Sequence, residues 1–202
     1  QRQMCIRDRD SQTRINLMRS FAGESQARNR YTYAAEAAKS QSLHVIEAVF
    51  KFTANQEKEH GKIFYNFLKE MTGENITIDG SYPVDIYDDV LKLLRSAQHN
   101  EFEEFEPVYP DFAAVANQEG FTNIGAKFNQ IAKIEKTHGD RFGMFADLLE
   151  QGKLFVSDVE EEWMCLNCGY VHKSSEAPKS CPVCSHPQGY FVRLKLAPFT
   201  TL

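Results

Sequence analysis

The chain has 202 residues, enough for one ordinary domain and a small second one. Hydrophobic residues make up 42% and charged residues 25%, the mix of a soluble globular protein, and the net charge of −5 speaks against nucleic acid or an anionic membrane as partner. No apolar run approaches the ~20 residues a membrane helix needs, and the polar first twenty residues do not read as a secretory signal, so the expected compartment is cytoplasmic.

The extreme N-terminus reads as foreign. Met4-Cys5-Ile6-Arg7-Asp8 can be encoded by a stretch that resembles a transposon end used in preparing sequencing libraries. Residues 1–10 are therefore expected to be a non-native tail and carry no function. Setting Cys5 aside leaves four cysteines, an even set.

A first helix is expected from about Thr13 to Lys39, with a seam reading Leu17, Phe21, Glu24, Arg28, Tyr31, Ala35, Ala38. Small residues beside Glu24 would let neighbours approach closely, and Arg28, one turn on, is placed to pair with carboxylates. A second helix, about Leu43 to Met71, reads Ile46, Phe50, Thr53, Glu57, His60, Phe64, Phe67, Met71, with Gly73 as its stop. Residues 72–85 form a long connection. At ~3.3 Å per residue it could reach ~46 Å, which allows either a crossover along the bundle or a folded-back loop.

A third helix is expected from about Ile86 to Gln118, with the seam Val90, Leu94, Ala97, Glu101, Glu104, Val108 and a kink at Pro107 and Pro110. The fourth, about Asn123 to Gln151, reads Ile124, Phe128, Ile131, Glu135, His138, Phe142, Phe145, Leu149. Every seam is apolar, then polar with a carboxylate, then mostly apolar again. The midpoint of Glu24 and Glu57 falls in the break Ser40-Gln41-Ser42, and that of Glu101 and Glu135 at Gln118, beside Gly120. In an antiparallel pair, residues equidistant from the turn are level, so all four helices bring acid to one height. Buried unpaired charge is costly. Two divalent cations would nearly balance the glutamates Glu24, Glu57, Glu101, Glu104 and Glu135. With His60 and His138 the set matches a known ferritin-like ligand pattern: one glutamate from each of two helices and Glu-x-x-His from each of the other two.

Residues 153–160 read as a linker, and the tail, 161–202, changes character. Cys165-x-x-Cys168 and Cys181-x-x-Cys184 form a four-thiolate cage on two tight turns. About forty residues bury little core, so a metal staple is what would fold this segment. A disulfide reading is weaker without an export signal. Zinc and iron both accept four thiolates; zinc would make a structural ribbon, iron a one-electron carrier.

Phe21-Ala22-Gly23-Glu24-Ser25-Gln26-Ala27-Arg28-Asn29-Arg30-Tyr31, Gln56-Glu57-Lys58-Glu59-His60, Glu101-x-x-Glu104, Tyr109-Pro110, Glu135-x-x-His138 and the closing cysteine pairs together resemble the rubrerythrins, over residues 11–202. The resemblance implies a mainly α protein: a ferritin-like four-helix bundle, 11–152, followed by a small rubredoxin-like metal-stapled β/loop domain. It implies that Glu57 and Glu135 bridge two irons, that Glu24, Glu101 and Glu104 are terminal ligands, and that His60 and His138 supply imidazoles. One iron would shift between His60 and Glu104 with redox state. Tyr31, Tyr109 and Glu104 would serve catalysis, and Cys165, Cys168, Cys181 and Cys184 would hold iron rather than zinc. The implied activity is peroxide reduction, with electrons from a donor such as rubredoxin or an NAD(P)H-dependent reductase, in a head-to-tail homodimer or higher assembly. A ferroxidase or iron-storage protein and a non-catalytic metal-binding module are the rival readings. Pro107 departs from the family pattern and bears on the geometry of Glu104.

Overall fold

The computed structural model describes residues 10–198. All of the stretch read as a non-native tail except Asp10 lies outside that range, as do residues 199–202. The bundle consists of α1 (Gln12–Ser40), α2 (His44–Phe67), α3 (Val90–Glu103), α4 (Tyr109–Gln118) and α5 (Thr122–Glu150). A single 3₁₀ turn, Lys69–Met71, finishes α2, and Gly73 follows with a positive φ of 90°. Thus α3 and α4 together are the expected third helix.

Local chemistry sets the ends. Ser11 caps α1 by accepting from the Arg14 N–H, and Asp89 caps α3 by accepting from Leu91 and Lys92. The Asp89 cap explains why α3 starts four residues later than the sequence reading placed it. The same end of α1 is also held from a distance in sequence: the Glu119 carboxylate, at the end of α4, accepts from the backbone N–H of Gln12 and Thr13 and from the Thr13 hydroxyl. A helix N-terminus with orphan donors and a partial positive charge is thereby satisfied by an acid from the other hairpin.

The third helix breaks at one proline, not two. Residues Glu104–Val108 form a π-type turn, and Glu106 takes an extended conformation (φ −157°, ψ 116°) before Pro107. Pro107 has no N–H to give and crowds the preceding turn, so the helix cannot run through it. Pro110 falls in the first turn of α4, where a missing N–H costs nothing, and produces no kink.

The connection between α2 and α3 is a crossover. Asp79 pairs with Arg19 near the start of α1, and the Asp88 carbonyl accepts from Gln41 at its end. Those two positions on α1 lie ~33 Å apart at ~1.5 Å per residue. The chain therefore returns along the bundle, making α1/α2 and α3–α4/α5 two antiparallel pairs.

The core is split. One apolar cluster gathers Tyr31, Ile46, Phe50, Leu94 and Phe142. A second gathers Leu17, Phe64, Tyr109, Ile124 and Phe128. The polar residues of the four seams form the layer between them.

The C-terminal domain is a three-stranded antiparallel sheet, β1 (Val156–Cys165), β2 (Val171–Glu176) and β3 (Phe191–Arg193), ordered β2-β1-β3. β1 thus begins inside the stretch read as linker. Its core is Trp163, Cys165, Ala177, Cys181 and Phe191. The Trp163 indole N–H donates to the Ser174 carbonyl at 2.9 Å, and the Arg193 guanidinium lies over its ring. The domain packs on the α1–α2 turn: Tyr190 stacks on His44 with centroids 4.1 Å apart. A Cβ on Gly189 would come within 1.8 Å of the Ser42 carbonyl oxygen, so the approach requires glycine there. Among the described residues, no helix is long and apolar enough to cross a membrane.

Candidate metal centres

The bundle centre is assembled from helix periodicity. Glu57 and His60 stand one turn apart on α2, as do Glu135 and His138 on α5; Glu24 comes from α1 and Glu101 from α3. Glu24, Glu57, Glu135 and His138 are completely buried. Two glycines allow the close approach. A Cβ on Gly61 would press on the Cβ of Glu24 at 3.2 Å, and one on Gly139 would overlap the Phe102 ring at 2.6 Å.

The side chains form two overlapping groups, Glu24/Glu57/His60/Glu135 and Glu57/Glu101/Glu135/His138, each with ligand atoms within 4.8 Å of one another. Glu57 and Glu135 belong to both. His60 Nδ1 lies 3.1 Å from Glu57 and 2.9 Å from Glu135, and His138 Nδ1 lies 2.8 Å and 2.9 Å from the same two residues. The imidazole planes are nearly parallel, 13° apart, with centroids separated by 5.6 Å. Each group thus offers one imidazole and one carboxylate of its own beside the two carboxylates common to both, a donor set compatible with a pair of cations.

Whether cations fit is decided by the leftover polar atoms. Glu24 Oε2, Glu57 Oε1, Glu101 Oε2, both oxygens of Glu135 and both nitrogens of His138 are buried without a hydrogen-bond partner. Native interiors rarely leave such atoms unsatisfied, and here they sit together. Apart from the His60 Nδ1–Glu57 Oε2 hydrogen bond, the close contacts lack hydrogen-bond alignment, so these lone pairs face a shared space rather than one another. All-oxygen and nitrogen donors with bridging carboxylates suit a pair of first-row divalent ions such as iron.

Electrostatics agrees. Burial and then the charge of Glu57 push the Glu101 carboxyl up to about 8. Burial and the other acids also raise Glu24 and Glu104 well above the usual carboxylate range. Burial would raise Glu57 too, but the imidazoles of His138 and His60 outweigh it and hold it down to about 2. Burial opposes charge on both imidazoles, yet the surrounding carboxylates lift His60 to about 9 and His138 to about 12. Protons have to do the balancing that two dications would otherwise do.

The tyrosines face this layer from opposite clusters. The Tyr31 hydroxyl donates to Glu101, and the Tyr109 hydroxyl donates to Glu24 Oε1 at 2.6 Å. Burial first, and the carboxylate charges next, keep both phenols protonated. Glu104 is the one expected ligand outside both groups. It sits in the π-type turn and lines a surface cavity with Tyr109, Arg30 and Tyr82. Arg28 is exposed, so it does not meet the buried acids as expected. Arg30 takes that place: its charge favours the ionised form of Glu104. Sequence reading passed over Arg30, although its step of seven from Gly23 puts both on one face of α1.

The second centre is built on two equivalent turns. The Cys165 N–H donates to the Tyr170 carbonyl and the Cys181 N–H to the His186 carbonyl, both at 2.8 Å. Gly169 and Ser185, each four residues after the first cysteine of its pair, take left-handed conformations with φ of 77° and 61°. Sulfurs of Cys165 and Cys184 lie 3.7 Å apart, as do those of Cys168 and Cys181, and all four fall within 4.8 Å. That is the spacing of thiolates around one tetrahedral ion. The cysteines are not disulfide-bonded. The His186 N–H helps bring the Cys184 thiol down to about 6.

Comparison with known proteins places this geometry. The family model described as rubrerythrin matches residues 16–146, and that described as the rubrerythrin rubredoxin-like domain matches residues 163–192. The chain belongs to the rubrerythrin family. It is 46% identical to a rubrerythrin of Clostridium perfringens over 182 residues, covering 90% of this chain and 93% of the relative. Identity to a Porphyromonas gingivalis rubrerythrin is 45% over 185 residues, covering 92% and 91%. Among solved structures, fully reduced, all-ferrous nigerythrin aligns with a TM-score of 0.61 at 28% identity, covering 92% of this chain and 90% of that one. Family membership accounts for the pairing of a ferritin-like bundle with a rubredoxin-like domain. It also agrees with donor sets that fit two carboxylate-bridged irons and one four-cysteine iron.

Proposed function

We propose that this chain is a peroxide reductase, converting hydrogen peroxide to water in the cytoplasm at the dinuclear bundle site, with electrons relayed by the four-cysteine centre. The observation that carries the reading is the combination in one chain of a buried carboxylate–imidazole site and a four-thiolate site. Iron storage needs no electron carrier; repeated two-electron reduction does. The overall step is H2O2 + 2 H⁺ + 2 e⁻ → 2 H2O, and when bound, two ferrous ions supply both electrons at once.

The chain's own residues supply the remainder. Glu57 and Glu135, common to both groups, would hold both ions, and His60 and His138 would each supply an imidazole to one of them. Tyr31 and Tyr109 orient Glu101 and Glu24 by donating to them, and their protonated hydroxyls stay available beside the reacting oxygens. Glu104, held at the cavity wall beside Arg30, is placed to pass protons inward. The two centres are far apart within one chain. The C-terminal domain sits at the α1–α2 turn, and Glu57 lies thirteen residues down α2 from His44, ~20 Å along the helix. A head-to-tail homodimer, with electrons passing between chains, shortens that path. Rubredoxin or an NAD(P)H-dependent reductase is the kind of donor the reading calls for.

The test is a single turnover. Anaerobically reduced protein, mixed with one equivalent of hydrogen peroxide per dinuclear site, is expected to oxidise rapidly and completely. No reaction with peroxide, together with oxygen-driven growth of a mineral core, would replace this reading with a ferroxidase.

A further inference from the structure

The dinuclear ligands are buried, so an oxidant needs a passage to them. A cavity of about 240 Å³ meets the site at Glu104 and Tyr109, and the crossover residues Gly80–Pro83 cover part of it. Between Asp79 and Val84 one side chain, Tyr82, is turned inward and half-buried, while Gly80, Ser81 and Pro83 are exposed. The Tyr82 ring and the Glu104 carboxylate lie over the same bare face of α1. A Cβ built on Gly23 would be 3.7 Å from the Tyr82 ring and 3.8 Å from Glu104 Oε1.

The ring is held in place. The Tyr82 hydroxyl donates to the Arg19 carbonyl at 3.1 Å, and the Arg19 guanidinium in turn donates to the Asp79 carbonyl at 3.0 Å and pairs with its carboxylate. A Cβ on Gly80 would come within 2.9 Å of the ring, so glycine lets Tyr82 fold back over its own segment.

We propose that Tyr82 is a specificity-determining residue, its ring narrowing the passage to Glu104 so that hydrogen peroxide passes and bulky alkyl hydroperoxides do not. The inference rests on the peroxide-reductase reading above. Both oxidants follow one stoichiometry, ROOH + 2 H⁺ + 2 e⁻ → ROH + H2O: the O–O bond breaks, and two ferrous ions give the electrons. Size is the difference the passage would read, and comparing the ratio of rate constants between variants cancels the oxidants' intrinsic reactivities.

The experiment uses the metal-loaded, reduced full-length chain, with wild type compared against Tyr82→Ala and Tyr82→Phe. Stopped-flow oxidation by tert-butyl hydroperoxide and by hydrogen peroxide gives the selectivity ratio. Release of iron from the bundle to a bulky sulfonated phenanthroline gives a readout independent of turnover. Tyr82→Ala is expected to raise the tert-butyl to hydrogen peroxide rate ratio at least tenfold and to speed iron release, and Tyr82→Phe, which keeps the ring, is expected to do neither. An unchanged ratio in Tyr82→Ala would overturn the proposal. If wild type reacts with neither oxidant, the peroxide reading falls by itself. Iron release then decides the passage: faster in Tyr82→Ala supports it, equal in all three proteins removes it.

Discussion

In the bundle, long helices with two full apolar clusters carry the ligands to a polar layer, and the helices have ample other reason to fold. In the C-terminal domain, five buried residues make the core and two of them, Cys165 and Cys181, belong to the four-cysteine group itself. The bundle has apolar cores separate from its site, whereas the small domain's core is built partly from its site. Burial follows the same division. The bundle acids and imidazoles are shut away among opposed charges, while Cys168 is exposed and Cys184 half-exposed, in keeping with the electron-relay role proposed for that centre.

The largest effect that would sharpen this contrast comes from Cys181→Ala. It is expected to abolish the visible iron–thiolate absorption and to remove hydrogen-exchange protection across 156–198, because a structural metal's binding energy is folding energy. The helical circular dichroism of the bundle is expected to persist. Loss of the bundle signal as well would show that the two units do not fold separately.

Next in size is a pair of bundle variants. Glu135→Ala removes a ligand shared by both groups and is expected to lose both bundle irons while keeping the thiolate colour. Glu24→Ala touches one group only and is expected to lose one iron. Equal stoichiometry in the two variants, measured by metal analysis, would break the assignment of Glu135 as a shared ligand.

These residues show what the chain made legible. Glu57, His60, Glu135 and His138 were readable because helical phase alone puts them on core seams, and the cysteine pairs because a four-thiolate cage demands their spacing. The crossover could be bounded in length but not aimed, since its path depends on Arg19 and Gln41 contacts made sixty and forty-seven residues away in sequence. Glu104 follows the seam pattern but lies in the π-type turn before Pro107 and outside both groups, a departure that Pro107 signals in the sequence without giving its direction. The Glu119 cap on α1 was invisible because it joins residues more than a hundred positions apart in sequence, at one end of the bundle.

A pH series on the metal-free protein gives a moderate effect. Glu101 is raised from 4.5 to about 8 in the fold, so the folded state holds its proton more tightly and stability falls as pH climbs between those values. The contribution of His60, raised from 6.5 to about 9, is present below 6.5 and is lost as pH rises through 9. Glu57, lowered to about 2, contributes above 4.5 and loses that contribution only as pH falls toward 2. The melting temperature of the metal-free chain should therefore drop from pH 5 to pH 9, and adding ferrous iron should flatten the slope. A metal-free melting temperature that rises over this range would contradict the charge balance described for the bundle.

The smallest effect expected is that of Tyr109→Phe. It removes the donor to buried Glu24 and should cost about 1–3 kcal/mol of stability by leaving that oxygen unpaired. Tyr33→Phe, on an exposed phenol, should be silent in the same denaturant titration. Equal effects would mean that the Tyr109 hydroxyl is not part of the site.

If the donor groups are filled as proposed, four helices hold two irons through shared glutamates while four cysteines hold a third. Anomalous diffraction at the iron edge, on crystals of the protein grown with iron, tests it directly. Three peaks per chain are expected, two flanking Glu57 and Glu135 and one among the sulfurs of Cys165, Cys168, Cys181 and Cys184. A single bundle peak bound by one Glu-x-x-His pair, or no peak there at all in iron-replete protein, would contradict it.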